Sequence, residues 1–139
     1  MSYSVALVVI ARDEAARISR LLDSVRPVVD RMLVLDTGSV DDTVALAQAA
    51  GAQVAHFAWC DDFAAARNAA LDAAAADWHV VLDADEWLAE GADAIAALRT
   101  MAPGFVGTVE VRSDFDDPSA GAAAVQASRG RLSRVLPGP

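Results

Sequence analysis

Continuous apolar runs alternate along the chain with segments of helical character. Four runs predict strands, at residues 4–11, 31–35, 53–57 and 78–82; the first is continuous, apolar and β-branched, as in a strand buried on both faces, and the third is shorter. Helices are predicted between and after them, at residues 18–25, 43–50, 61–76 and 91–101. A fifth strand is predicted at residues 105–112 and a further one near residues 131–136. Strict alternation of strand and helix predicts an α/β fold with an open, mainly parallel sheet and helices on both faces.

Helix-ending residues support these boundaries. Pro27 should end the first helix, because proline cannot continue the backbone hydrogen bonding. Asp41 or Asp42 can cap the second helix, and Gly51 should end it. Asp61 and Asp62 are candidate caps for the third helix.

Polar clusters follow three of the predicted strands, at residues 12–14, 36–39 and 83–86. Open parallel sheets bind ligands at the carboxyl ends of their strands. The fold should therefore gather the three clusters at one edge, which makes that edge the candidate site.

Composition narrows the classes of partner. The chain of 139 residues is long enough for one domain, and its net charge of −9 argues against a nucleic-acid partner. The apolar run at residues 5–11 is far shorter than the ~20 residues that span a bilayer, so no transmembrane segment is expected. The single Cys60 excludes an internal disulfide and suits a reducing compartment. We therefore expect a cytoplasmic protein, free or peripheral at the inner membrane face, whose oligomeric state the sequence leaves open.

Asp83 and Asp85 flank one small residue just past a buried strand. On an extended segment, alternation would point both carboxylates to the same side. Two such carboxylates can hold Mg²⁺ or Mn²⁺ when substrate phosphates complete the coordination shell. The alternative is a pair of solvated loop aspartates, one of which caps the next helix.

Asp36 and Arg67 each allow two interpretations. Asp36 can accept hydrogen bonds from a ribose or a base, or it can bond the backbone of the glycine turn that follows it. Arg67 can be a fixed donor to a base or phosphate, or its side chain can extend to solvent. Trp59 and Phe63 are expected as core or rim packing, and the two histidines, His56 and His79, as structural residues.

Four motifs in order resemble family-2 glycosyltransferases, and especially a bacterial branch with an Asp-Thr-Gly-Ser turn. They are Val-Val-Ile-Ala-Arg-Asp-Glu at residues 8–14, Val-Leu-Asp-Thr-Gly-Ser-Val-Asp-Asp-Thr at 34–43, Asp-Phe-Ala-Ala-Ala-Arg-Asn at 62–68 and Trp-His-Val-Val-Leu-Asp-Ala-Asp-Glu at 78–86. The resemblance implies a GT-A fold, a nucleotide-diphosphate sugar donor and inversion at the anomeric carbon. It further implies a cell-envelope role, with a glycan, lipid or protein as acceptor.

The resemblance also assigns residues. Ala11, Arg12, Glu14 and Asp36 would line the nucleotide pocket, and Arg67 would reach the base. Asp83 would approach the ribose or the metal, and Asp85 would hold the metal against the diphosphate.

Two departures from the family pattern concern the nucleotide. Thr37 replaces a second aspartate that many members use for a uracil ring, which leaves the base open. Arg12-Asp13 replaces the usual Lys-Asn, which adds an acid near the pocket.

The acceptor side of the domain is the larger gap. Inverting transfer needs a general base, which in this family lies beyond the matched segment, so no catalytic residue is assigned; nothing favours Glu110 or Asp114. We expect one GT-A domain over residues 1–139, with a nucleotide-binding half at 1–112 and an incomplete acceptor-side segment at 113–139. The first alternative is a non-catalytic nucleotide-sugar-binding fragment that lacks the base. The second is a phosphohydrolase with Asp83 as nucleophile, which the Glu86-Trp87 pair after Asp85 disfavours.

Overall fold

A single mixed sheet forms the centre of the protein. The computed structural model describes residues 2–104, 106–113 and 128–137. In these ranges the strands are β1 (Val5–Ala11), β2 (Arg31–Asp36), β3 (Gln53–His56), β4 (Trp78–Val81), β5 (Gly107–Ser113) and β6 (Ser128–Pro137). Their order across the sheet is β3-β2-β1-β4-β6-β5. The first four are parallel, whereas β6 runs antiparallel to both of its neighbours. The predicted α/β fold with a mainly parallel sheet is confirmed.

In the described part of the chain, four α-helices connect the strands: α1 (Ile18–Val25), α2 (Thr43–Ala49), α3 (Phe63–Ala74) and α4 (Ala92–Ala97). Pro27 lies inside a short 3₁₀ turn, Arg26–Val28, that continues from α1. The predicted helix at residues 91–101 is shorter than expected, because its last turn is the 3₁₀ segment Leu98–Thr100. The acidic residues from Asp114 to Asp117 lie outside the described residues.

The sheet is covered on both faces because its strands alternate side chains between two cores. Val5, Leu7 and Val9 of β1 pack in the core that contains the apolar residues of α1. Ala6 and Val8 pack in the opposite core, with the alanines of α3. Three of those alanines, Ala66, Ala70 and Ala74, are fully buried at four-residue spacing, which forms one stripe of the helix. The small side chains let α3 lie close to the sheet, which explains the alanine-rich sequence there.

The crossover connections bring functional segments to one edge of the sheet. Because β1, β2, β3 and β4 are parallel, their carboxyl ends share that edge, and the segments leading into α1, α2 and α3 start there. Among the described residues, none of the helices has both the length and the apolar character that crossing a membrane requires.

Candidate functional site

The strand register aligns three residues in one row at the carboxyl edge. Ala11 pairs with Asp36 across β1 and β2, and Asp36 pairs with His56 across β2 and β3. Residues in register on parallel strands point to the same face of a sheet. On the other side of β1, the Leu82 N–H bonds the Val8 carbonyl at 3.2 Å. Asp83 therefore follows the last β1–β4 bond, and two strand spacings, about 10 Å, separate its backbone from that of Asp36.

Asp36 is buried at the centre of this row, with only 4% of its surface exposed. Its Oδ2 accepts hydrogen bonds from the backbone N–H groups of Gly38 at 3.3 Å and Ser39 at 3.2 Å. The Nδ1 of His56 lies 3.7 Å from the same oxygen. Its Oδ1 is also buried but has no hydrogen-bond partner among the described residues. One oxygen therefore holds the turn, and the other remains for a donor.

A network of side-chain-to-backbone bonds joins the loops that follow β1 and β2. The Oδ1 of Asp13 accepts the N–H of Val40 at 2.7 Å and of Asp41 at 3.4 Å, while the N–H of Asp13 donates to Ser39 Oγ at 2.9 Å. Asp13 has a φ of 53°, in the left-handed region. Asp13 therefore links two loops, a role that the sequence does not predict for it.

Thr43 and Asp41 complete the same network. Thr43 Oγ1 accepts the Glu14 N–H at 2.8 Å and donates its own proton to Asp41 Oδ1. Asp41 also accepts the Ala15 N–H at 3.2 Å. The hydroxyl of Thr43, assisted by backbone N–H groups, holds the pKa of Asp41 below its ordinary value. The expected cap of α2 is therefore provided by Asp41, which bonds the Thr43 N–H at 3.0 Å; Asp42 occupies the N-cap position without a side-chain bond.

The residues expected to line a nucleotide pocket differ in their exposure to solvent. Ala11 is buried, and its carbonyl accepts bonds from the N–H and hydroxyl of Thr37 at 3.1 and 3.4 Å. Arg12 is exposed at the edge. Glu14 is half-buried, and its carboxylate pairs with Arg17 at 3.0 Å. Ala11 is thus buried at the strand end, while Arg12 and Glu14 are at or near the surface.

Arg67 lies in α3, on the opposite face of the sheet from the row at Asp36. Its guanidinium carbon is 5.3 Å from the ring centre of Phe63, and its Nε is buried without a partner among the described residues. Trp59 meets Phe63 edge to face at 6.2 Å, and the two rings are 40% and 50% exposed. These aromatic residues form a rim rather than a core.

Asp83 and Asp85 lie in a turn, so the prediction of an extended segment is wrong. The Glu86 N–H bonds the Asp83 carbonyl at 2.9 Å, which closes the turn around Ala84 and Asp85. In addition, the side-chain Oε1 of Glu86 accepts the backbone N–H of Asp83 at 2.6 Å, so that two bonds join these residues. Both aspartates are exposed, whereas Ala84 between them is buried. The turn forms because the apolar Ala84 packs into the core and the charged neighbours remain in water.

The segment after this turn is attached to α1. The Leu88 N–H donates to Ser24 Oγ at 2.9 Å. The Arg20 guanidinium carbon lies 3.9 Å from the ring centre of Trp87. The acidic turn is therefore held between β4 and α1, near the edge on which Asp36 lies.

The two histidines differ in their relation to the site. His79 is fully buried in β4, and its Nε2 accepts the Ala76 N–H at 3.3 Å, a structural role. His56 has a side chain that is 70% exposed and lies beside Asp36. The prediction that His56 is structural remains a prediction; the sequence signal for its place beside Asp36 is its position near the end of a predicted strand that follows the strand of Asp36.

A metal site at this edge would need donor atoms from a bound phosphate group in addition to those of the protein. Among the described residues no three His, Cys, Asp or Glu side chains gather as metal ligands. Asp83 and Asp85 supply hard oxygen donors, so they suit a cation that also binds phosphate oxygens.

Comparison with known proteins gives a consistent result. Residues 6–122 match the family model described as Glycosyl transferase family 2. A TPR repeat-containing protein of Synechococcus elongatus is 44% identical over 140 residues, which cover 95% of this chain and 31% of that protein. An uncharacterized glycosyltransferase of Rickettsia felis is 39% identical over 82 residues, covering 59% of this chain and 29% of the relative.

Solved structures agree. Glucosyl-3-phosphoglycerate synthase of Mycobacterium tuberculosis, in complex with Mn²⁺, UDP and glucosyl-3-phosphoglycerate, aligns with a TM-score of 0.54 and 31% identity. The alignment covers 59% of this chain and 33% of that one. The chain thus spans about a third of the length of these relatives.

Proposed function

The chain belongs to glycosyl transferase family 2, and we propose that it binds a nucleotide-diphosphate sugar at the carboxyl edge of its sheet and transfers the sugar, with inversion, to an acceptor. Family membership supports the reaction class. The solved relative in complex with UDP and Mn²⁺ supports the donor class and the use of a divalent cation. We further propose a glycan, lipid or protein acceptor in cell-envelope synthesis, on the family resemblance alone.

The observation that carries the proposal is that acidic residues stand at the carboxyl ends of β2 and β4, the two strands that flank β1. Asp36 ends β2 and keeps one buried oxygen that has no partner among the described residues, while Asp83 and Asp85 follow β4 on an exposed turn. The distance of about 10 Å between their strands is comparable to the length of a nucleoside diphosphate from base to β-phosphate. A single donor can therefore engage both positions.

The nucleoside is bound by the loops after β1 and β2. Asp36 Oδ1 accepts a donor hydrogen from the nucleoside, which satisfies an oxygen that is costly to leave buried and unpaired. Ala11 forms the floor, and Arg12 and Glu14 border the pocket. Arg67 lies in α3 on the other face of the sheet, so it would reach the base around the strand ends; its Nε has no partner among the described residues.

Asp83 and Asp85 would hold the divalent cation. Two exposed carboxylates without a third described ligand fit Mg²⁺ or Mn²⁺, because these ions retain open positions for phosphate oxygens. When bound, the ion would supply Lewis-acid stabilisation to the departing diphosphate. The carboxylates themselves orient the cation, and without it they would repel the phosphates by roughly 3 kcal/mol per pair at 5 Å and an effective dielectric of 20.

Nucleotide binding tests the proposal directly. Calorimetry with UDP, GDP and dTDP, each with and without Mn²⁺, should show binding that requires the metal for at least one of them. Asp36→Asn and Asp85→Asn should both weaken that binding, and Val40→Ala, at a 92% exposed position in the same edge, should not. Absence of metal-dependent binding by any nucleotide would refute the proposal.

A separate assay distinguishes transfer from binding alone. The alternative function is a nucleotide-sugar-binding unit without a catalytic base. Release of the nucleoside diphosphate from a donor sugar, with water or a supplied acceptor, would establish turnover. Tight, metal-dependent binding without any release would favour the binding unit.

A further inference from the structure

We infer that His56 is a base-recognition residue which, together with Asp36, selects a nucleotide whose base presents a single ring N–H between two carbonyls, namely uracil or thymine. The inference rests on the proposed function, since it concerns the same donor pocket. The residues concerned form the row of side chains at the ends of β1, β2 and β3.

His56 is the exposed member of that row. It pairs in register with Asp36, so both side chains point to the same face of the sheet, and 70% of the imidazole surface is accessible. Its Nδ1 lies 3.7 Å from Asp36 Oδ2, beyond hydrogen-bond distance. The ring therefore stands beside the buried carboxylate with its nitrogens available to a ligand.

The carboxylate of Asp36 has an asymmetric hydrogen-bond capacity. Oδ2 already accepts the N–H groups of Gly38 and Ser39, and Oδ1 accepts none from the described residues. A single available oxygen suits a single donor, such as the imide N–H of uracil or thymine. The carbonyls on either side of that imide N–H then accept hydrogen bonds from the protein. The imidazole N–H of His56, at the end of the neighbouring strand β3, supplies one of these donors.

The same pattern disfavours the other bases. Adenine and cytosine present a ring nitrogen acceptor at the position of the imide N–H, and a carboxylate oxygen repels it. Guanine presents two adjacent donors, which are best met by two carboxylate oxygens, but here Oδ2 is engaged by the backbone. Thr37 offers no alternative donor, because its side chain is buried and its hydroxyl faces the Ala11 carbonyl at 3.4 Å.

The experiment measures the dissociation constants of UDP, dTDP, GDP, CDP and ADP in the presence of Mn²⁺, for the full chain and its variants. The unmodified chain should prefer UDP and dTDP. Loss of one hydrogen bond should make His56→Ala bind UDP about threefold to tenfold more weakly and leave GDP binding unchanged. His56→Gln keeps an N–H donor and should retain most of the preference, whereas His56→Phe keeps a ring without a donor and should behave like the alanine variant. Gln53→Ala, at an exposed position at the opposite end of β3, is the matched control and should bind as the unmodified chain does.

The outcomes separate this inference from the proposed function. An unmodified chain that binds no nucleotide with Mn²⁺ overturns both. A chain that binds UDP while His56→Ala keeps the same affinity, or loses UDP and GDP equally, overturns the role of His56 alone. A preference for GDP over UDP in the unmodified chain also overturns it. Because His56 is exposed, the variants should fold, and circular dichroism spectra that match the unmodified chain would establish that they do.

Discussion

Asp13 offers the sharpest test of how the site loops are held. Its carboxylate accepts the backbone N–H groups of Val40 and Asp41, and its backbone adopts a φ of 53°. Three substitutions separate these two features. Alanine removes the bonds and keeps an unfavourable backbone, glycine removes the bonds but tolerates the backbone, and asparagine keeps one acceptor and tolerates the backbone.

The expected losses in the free energy of unfolding follow from those differences. Hydrogen bonds to a charged group contribute about 1.5–3 kcal/mol when buried, and exposure of Asp13 reduces this to about 1 kcal/mol. The left-handed backbone adds about 1 kcal/mol for alanine. We therefore expect Asp13→Ala to lose about 2 kcal/mol, Asp13→Gly about 1 kcal/mol and Asp13→Asn less than either.

Urea unfolding followed by circular dichroism measures these values. Val40→Ala is the control, because its N–H is part of the network but its side chain is 92% exposed. Equal losses for the alanine and glycine variants would show that the backbone conformation contributes nothing. An asparagine variant as unstable as the alanine variant would refute the role of the side-chain acceptor.

Three further predictions concern the metal turn, the buried histidine and a tight glycine. Asp85→Asn should abolish the Mn²⁺ dependence of nucleotide binding measured by calorimetry and leave the urea midpoint unchanged, since the side chain is exposed. Burial lowers the pKa of His79 below its ordinary value of 6.5, so the unfolded state binds more protons as the pH falls. Its contribution to stability is complete above pH 6.5 and is lost below it, and thermal unfolding from pH 7.5 to 5 should show a steeper loss than in His79→Gln. Gly107→Ala should destabilise by about 1–3 kcal/mol in urea, because an added Cβ would lie 2.9 Å from the Cβ of Val135; no loss would show that the β5–β6 pair shifts freely.

The sheet could be predicted because its signals are local. Continuous apolar runs mark β1, β2 and β4, and a residue such as Asp36 marks a strand end by changing polarity abruptly. The position of β6 in the sheet could not be predicted, because no short-range sequence pattern indicates that this strand lies between β4 and β5. The pairing buries Val135 against the core and depends on side chains from distant parts of the chain.

The candidate site was only partly predictable for the same physical reason. The location of its acidic clusters can be predicted because they follow the predicted strands. The role of each carboxylate cannot, because it depends on which backbone N–H groups the fold brings within hydrogen-bond distance. The bond from Asp13 to Val40 joins residues 27 positions apart, and only the register of β1 and β2 sets their distance. The turn at Asp83 depends on the burial of Ala84, which the sequence presents as one small residue among many.

The acidic residues at this edge divide into two groups by what their oxygens accept. Asp13, Asp36 and Asp41 each accept backbone N–H groups, so their negative charge helps to hold the loops after β1 and β2. Asp85 is exposed on its turn, so its charge is directed to solvent or to a cation. Neutralising a member of the first group should therefore change stability, while neutralising Asp85 should change ligand affinity alone. Asp36 belongs to both groups because its two oxygens differ, which makes it the residue whose substitution should change both properties together.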